Sequence, residues 1–195
     1  IIVQVAVISK AVYPKLLECK DTHYLRDNIS QLFFFNFMLT GILLVFAKPA
    51  LFALNPIYVS AYLVTMILSI NNFFSVISTI SIQNLAGIEK IDLDVNPTFK
   101  NYIKSNLFYP HTLRLIQAIT STIILIVGFF FMINSNYSEI DLLVFWSLTV
   151  LFTQIPISLL LFYKMLNTIR ISLDYKLIAK YFLIAVCAYI SIFVI

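Results

Sequence analysis

PALFALNPIYVSAYLVTMILSINNFFSVISTISIQNLAGI, residues 49–88, contains no charged side chain. About 20 apolar residues, at 1.5 Å each along a helix, cover the roughly 30 Å hydrocarbon core of a bilayer. This stretch therefore holds at least one membrane span. Four further uncharged runs accompany it, at 28–47, 115–138, 142–163 and 181–195. Hydrophobic residues make up 61% of the chain and charged residues 11%. Soluble domains sit nearer roughly one half and one quarter. Composition and run length together predict an all-α, polytopic membrane helix bundle.

The charges between the runs predict its topology. Of the 13 Lys and Arg residues, all but Lys48 fall in three connections. Connection 10–27 carries Lys10, Lys15, Lys20 and Arg26. Connection 88–114 carries Lys90, Lys100, Lys104 and Arg114. Connection 164–180 carries Lys164, Arg170, Lys176 and Lys180. Alternate connections are basic, which is the positive-inside pattern. Loops 10–27, 88–114 and 164–180 are therefore expected on the cytoplasmic side. The net charge of +4 is spread along membrane-flanking loops, where it meets anionic lipid rather than nucleic acid. Membrane lipids are the expected partners, and no nucleic acid is.

Boundaries follow from breakers and hydropathy. A partial span is expected over 1–12, then spans at 28–47, 57–86, 110–133 and 142–163, and a partial span at 181–195. Lys48-Pro49 is expected to end the first full span, because the residue before proline disfavours helix. Residues 49–56 read as a re-entrant or interfacial link, with Asn55-Pro56 opening the next helix. Pro97 opens an amphipathic segment to about residue 109. Its Phe99, Tyr102, Ile103 and Leu107 share one face, which suits a helix lying in the interface. Pro156 is expected to kink the span around it. Both ends are apolar without a polar cap, so the sequence reads as part of a larger membrane domain.

No catalytic arrangement is present, and neither a metal nor a cofactor is expected. The glycines number 3, and no phosphate-binding loop or Cys/His cluster occurs. Cys19 and Cys187 lie at different expected levels, so a disulfide is not expected. No ionisable residue is expected at mid-membrane, where such groups signal ion coupling.

What remains is polar and uncharged. Span 57–86 carries Asn72, Ser75, Thr79 and Gln83 on one helical face, broadened by Asn71, Ser78 and Asn84. The other spans add Gln31, Asn36 and Thr40; Gln117, Thr120 and Ser121; and Ser147, Gln154 and Ser158. Amides and hydroxyls facing lipid are costly, so these groups must meet protein or water. The plainer reading is interhelical hydrogen bonding, at about 0.6 kcal/mol per pair. The functional reading is a hydrophilic cavity, and the face of Asn72, Ser75, Thr79 and Gln83 favours it most. His111 and Arg114, one turn apart at the start of span 110–133, read as headgroup anchors or as a site for an entering phosphate.

Three segments carry a resemblance. AVYPKLLE at 11–18 resembles a span-ending cytoplasmic turn of the polysaccharide-biosynthesis flippases. FAKPALFALNPIYVSAYLVTMILSI at 46–70 is similar to a segment of that family, through Lys48, Pro49, Leu51, Pro56, Tyr58 and Ala61. NLAGIEKID at 84–92 resembles a third segment, most closely in archaeal members. The three cover 11–92 in the family's order. The family belongs to the superfamily of multidrug, oligosaccharidyl-lipid and polysaccharide exporters. The resemblance implies a two-lobe exporter fold of which this chain is most of the second lobe, with a missing N-terminal lobe as its partner. It implies a multi-pass protein of the cell (plasma) membrane, not an enzyme, that flips a lipid-linked oligosaccharide or polysaccharide precursor by alternating access. Asn72, Ser75, Thr79 and Gln83 would then meet sugar hydroxyls, while His111 and Arg114 would meet the phosphate. The alternatives are an ion-coupled small-molecule or drug exporter of the same architecture and a non-transporting membrane subunit of a larger complex.

Overall fold

The computed structural model describes residues 22–88, 103, 105–106, 108–170 and 173–194. All described elements are helical. They are α1 (Thr22–Leu54), a short 3-10 helix (Pro56–Ala61), α2 (Tyr62–Ile88), α3 (Phe108–Asn134), α4 (Glu139–Ile169) and α5 (Tyr175–Val194). The chain is an all-α membrane helix bundle. Four segments, Leu25–Leu54, Pro56–Ile88, Phe108–Asn134 and Glu139–Ile169, are long and apolar enough to cross a membrane.

The helices follow the uncharged runs but overrun them. α1 continues through Lys48 and Pro49 to Leu54, so the break expected at Lys48-Pro49 does not occur. Proline removes a single i→i−4 bond. The helix continues past it, and the Pro49 ring is exposed. The stop comes at Asn55 instead. Its backbone is extended (φ −166°, ψ 130°), and its side chain accepts a hydrogen bond from the Ile57 N–H. The expected re-entrant link over 49–56 is therefore the last turns of α1, the cap residue Asn55 and the first residue of the 3-10 helix. α4 starts at a capping box, with Ser138 and Asp141 satisfying each other's backbone N–H groups. It runs unbroken across Pro156 to Arg170, whose left-handed conformation (φ 57°, ψ 43°) ends it. The expected span over 1–12 lies outside the described residues, as does most of the expected interfacial segment over 97–109. Phe108 and Tyr109 belong to α3.

The packing order is α3–α4–α2–α1–α5. α2 and α4 share the most extensive interface, α1 packs on α2 and on α5, and α3 packs on α4. The apolar core lies at one end of this row. Leu25, Ile29 and Leu32 of α1 meet Val76, Ile80 and Leu85 of α2, Met165 of α4 and Leu173 before α5. Phe33 of α1 also meets Phe162 of α4 edge-on, at 5.6 Å between centroids. That core brings the start of α1, the end of α2, the end of α4 and the start of α5 together. Lys164 lies 5.8 Å from the centre of the Tyr109 ring, which places the start of α3 at the same end. Arg26, His111, Arg114, Lys164, Arg170, Lys176 and Lys180 thus gather at one end, while Lys48 is near the other.

Candidate functional site

Nothing ionisable lies within the middle turns of α2, so its chemistry is that of hydroxyls and amides. Burial sorts these into two sets. Ser69, Ser78, Ser81 and Asn84 are buried, whereas Asn72, Ser75, Thr79 and Gln83 are half-buried. The second set lines up at i, i+3, i+7 and i+11, on one face of the helix.

Hydroxyls in this helix are mostly satisfied by their own backbone. Ser69 donates to the Thr65 carbonyl (2.8 Å), Ser78 and Thr79 both donate to the Ser75 carbonyl (2.9 and 2.8 Å), and Ser81 donates to the Ile77 carbonyl (2.8 Å). A carbonyl has two lone pairs, so it accepts such a bond without losing its helical one. That lowers the cost of a hydroxyl in a bilayer.

A seam of polar contacts then crosses four helices. Asn36 of α1 donates through Nδ2 to the Phe73 carbonyl of α2 (3.1 Å). The single Ser158 hydroxyl hydrogen of α4 is shared between the Phe74 carbonyl (2.9 Å) and the Gln154 carbonyl of its own helix (2.8 Å). Gln154 Nε2 donates to Ser78 Oγ (3.2 Å) and Ser158 Oγ (3.1 Å). Gln154 Oε1 accepts from Gln117 Nε2 of α3 (2.7 Å). Lower in the bundle, Asn84 Nδ2 reaches the Met165 sulfur at 3.5 Å. For Asn36, Gln117, Gln154 and Ser158 the plainer reading of the sequence is the one the geometry supports. They join helices.

The stripe on α2 is different. Among the described residues, no hydrogen bond reaches the Asn72 amide or the Ser75 hydroxyl, and the Thr79 hydroxyl bonds only its own helix. Beside the stripe, Asn71 Oδ1 is buried without a partner among the described residues, as are Asn36 Oδ1 and Thr40 Oγ1 on α1. Of the other polar residues, Gln31 and Thr120 are exposed, and the Ser147 and Ser121 hydroxyls bond the Val144 and Ala118 carbonyls.

His111 and Arg114 are exposed at the start of α3. α3 packs on α4, and no bond among the described residues joins either side chain to the α2 stripe. The six residues named from the sequence therefore fall into two places: four on one half-buried face of α2, and two at the basic end of α3. Among the described residues no three His, Cys, Asp or Glu side chains gather as metal ligands would.

No family model, no curated protein and no solved structure matches this chain. The site must be read from its own geometry. One further concavity lies between α1 and α5, where Gly41 leaves a groove of about 190 Å³. Phe37 and Leu44 of α1 and Phe182, Val186 and Tyr189 of α5 wall it, and it is apolar.

The seam contains features that sequence reasoning missed. The Phe73 and Phe74 carbonyls are central acceptors, yet a carbonyl has no letter in a sequence. Gln154 as the hub had a weak signal, since it and Gln117 are the sole glutamines of their runs.

Proposed function

We propose that this chain is part of a membrane translocator whose cargo is a lipid-linked oligosaccharide or polysaccharide precursor. One observation carries the reading: a helix long and apolar enough to span a membrane carries Asn72, Ser75, Thr79 and Gln83 at helical spacing on one half-buried face. Such a face is unfavourable against lipid. Water and a sugar resolve that cost, since both donate to and accept from amides and hydroxyls. The stripe carries no charge, which suits a neutral polyol better than an ion.

The mechanism makes and breaks no covalent bond. Alternating access would expose the stripe first to one side of the membrane and then to the other. Each hydroxyl of the cargo would exchange water for an amide or hydroxyl of α2, lowering the barrier to crossing. The basic end, with His111 and Arg114, would hold a phosphate-linked headgroup by charge-assisted hydrogen bonds. On this reading that end is cytoplasmic, and the protein lies in the plasma membrane.

A second reading has the same observation in its favour. A polar helix of a partner subunit could cover the stripe, making this a non-transporting component of a complex.

Deletion of the gene separates the two. Under the first reading, lipid-linked saccharide accumulates on the cytoplasmic leaflet and the exported glycan falls. Unchanged export with no accumulated precursor rules that reading out.

A further inference from the structure

We propose that α4 is a two-segment lever hinged at Pro156, with the hydrogen bonds of Gln154 and Ser158 as its fulcrum. The inference holds whatever the cargo, and it goes beyond the translocator reading.

Two opposite features coincide at one level of α4. Pro156 has no N–H, so the Phe152 carbonyl loses its helical partner. Both residues are exposed, with Phe152 at 68%. The weakened side of the helix therefore faces outward. Gln154 and Ser158 lie on the opposite side, at helical angles well over 100° from Phe152. There Ser158, fully buried, holds the Gln154 carbonyl and the Phe74 carbonyl, and Gln154 holds Ser158, Ser78 and Gln117.

A helix freed on one side and pinned on the other is the geometry of a hinge. Bending about Pro156 moves the pinned atoms least, because they lie on the side of the axis. The two arms have different loads. Both arms are held on their inner side: Ser147 and Thr149 are buried before Pro156, and Leu161 and Met165 are fully buried after it, with Met165 in the core with α1 and α2. The arm before Pro156 carries α3, through the close approach of Phe145 to Gly128. The two arms of α4 thus bend relative to each other about the fulcrum, and the arm after Pro156 stays with the core of α1 and α2.

The test is a pulsed-EPR distance measurement on the full chain in lipid nanodiscs, after both native cysteines are changed to serine. Spin labels are placed by Leu143→Cys and Tyr163→Cys, exposed sites on the two arms, separated by about 30 Å along a straight helix. The hinge predicts a broad or two-peaked distribution in the parent. It predicts about half that width in Pro156→Ala, where the missing backbone bond is restored. It predicts a wider distribution in Gln154→Leu, where the fulcrum is cut. A Pro156→Ala distribution no narrower than the parent overturns the proposal. Should Pro156→Ala not fold, Gln154→Leu decides alone, and an unchanged width overturns it.

Discussion

The helical glycines Gly41 and Gly128 stand in opposite surroundings. At Gly128 of α3 an added Cβ would overlap the Phe145 ring of α4, whereas at Gly41 it would meet nothing within 4 Å. Overpacking of this kind costs about 1–3 kcal/mol. Alanine also favours helix over glycine by about 1 kcal/mol. Gly128→Ala should therefore lower the thermal midpoint of the nanodisc-embedded protein, and Gly41→Ala should leave it unchanged or raise it. The fluorescence of Trp146, next to Phe145, provides the readout at the affected contact. Adding Phe145→Leu should recover most of the Gly128→Ala loss, because the smaller side chain makes room. Arg170 offers a second test. It ends α4 at φ 57°, a conformation that costs a side chain about 1 kcal/mol and suits glycine. Arg170→Gly should stabilise by about that amount, and Arg170→Ala should not, since alanine meets the same strain.

At the scale of elements, helix existence was legible and helix ends were not. Uncharged runs mark where a chain can lie in lipid, but helices end where backbone bonds run out. Lys48-Pro49 reads as a stop, yet α1 loses one bond there and continues to Asn55, whose side chain caps the next turn. The polar stripe of α2 was legible because amides and hydroxyls at helical spacing share a face by geometry alone. Its separation from Ser78 and Asn84 was not, because it depends on where α4 packs. The seam itself rests on Gln154. Gln154→Leu removes bonds to Gln117, Ser78 and Ser158, and interhelical bonds contribute on the order of 0.6 kcal/mol each. A loss of about 1–2 kcal/mol is expected in chemical or thermal unfolding. Ser158→Ala should cost less, because it leaves the Gln117–Gln154 bond in place.

For the whole molecule, the alternation of basic connections predicts that those residues share one end, and the core contacts bring Arg26, Arg114, Lys164 and Lys180 there. Hydropathy held no information about the neighbour order α3–α4–α2–α1–α5, which is decided by side-chain packing and by carbonyl acceptors on α2. The half-buried face of Asn72, Ser75, Thr79 and Gln83 lies on α2, in the middle of that order. The account therefore depends on what covers this face in the membrane. The direct measurement is thiol accessibility in whole membranes, with Cys19 and Cys187 changed to serine and single cysteines introduced by Ser75→Cys and Thr79→Cys. Ile80→Cys, in the apolar core, and Ile123→Cys, on the outward face of α3, serve as controls. A charged, membrane-impermeant thiol reagent should label Ser75→Cys and Thr79→Cys and leave both controls unlabelled. Failure to label either stripe position, in protein that labels normally once denatured, would contradict a water-filled pathway along α2.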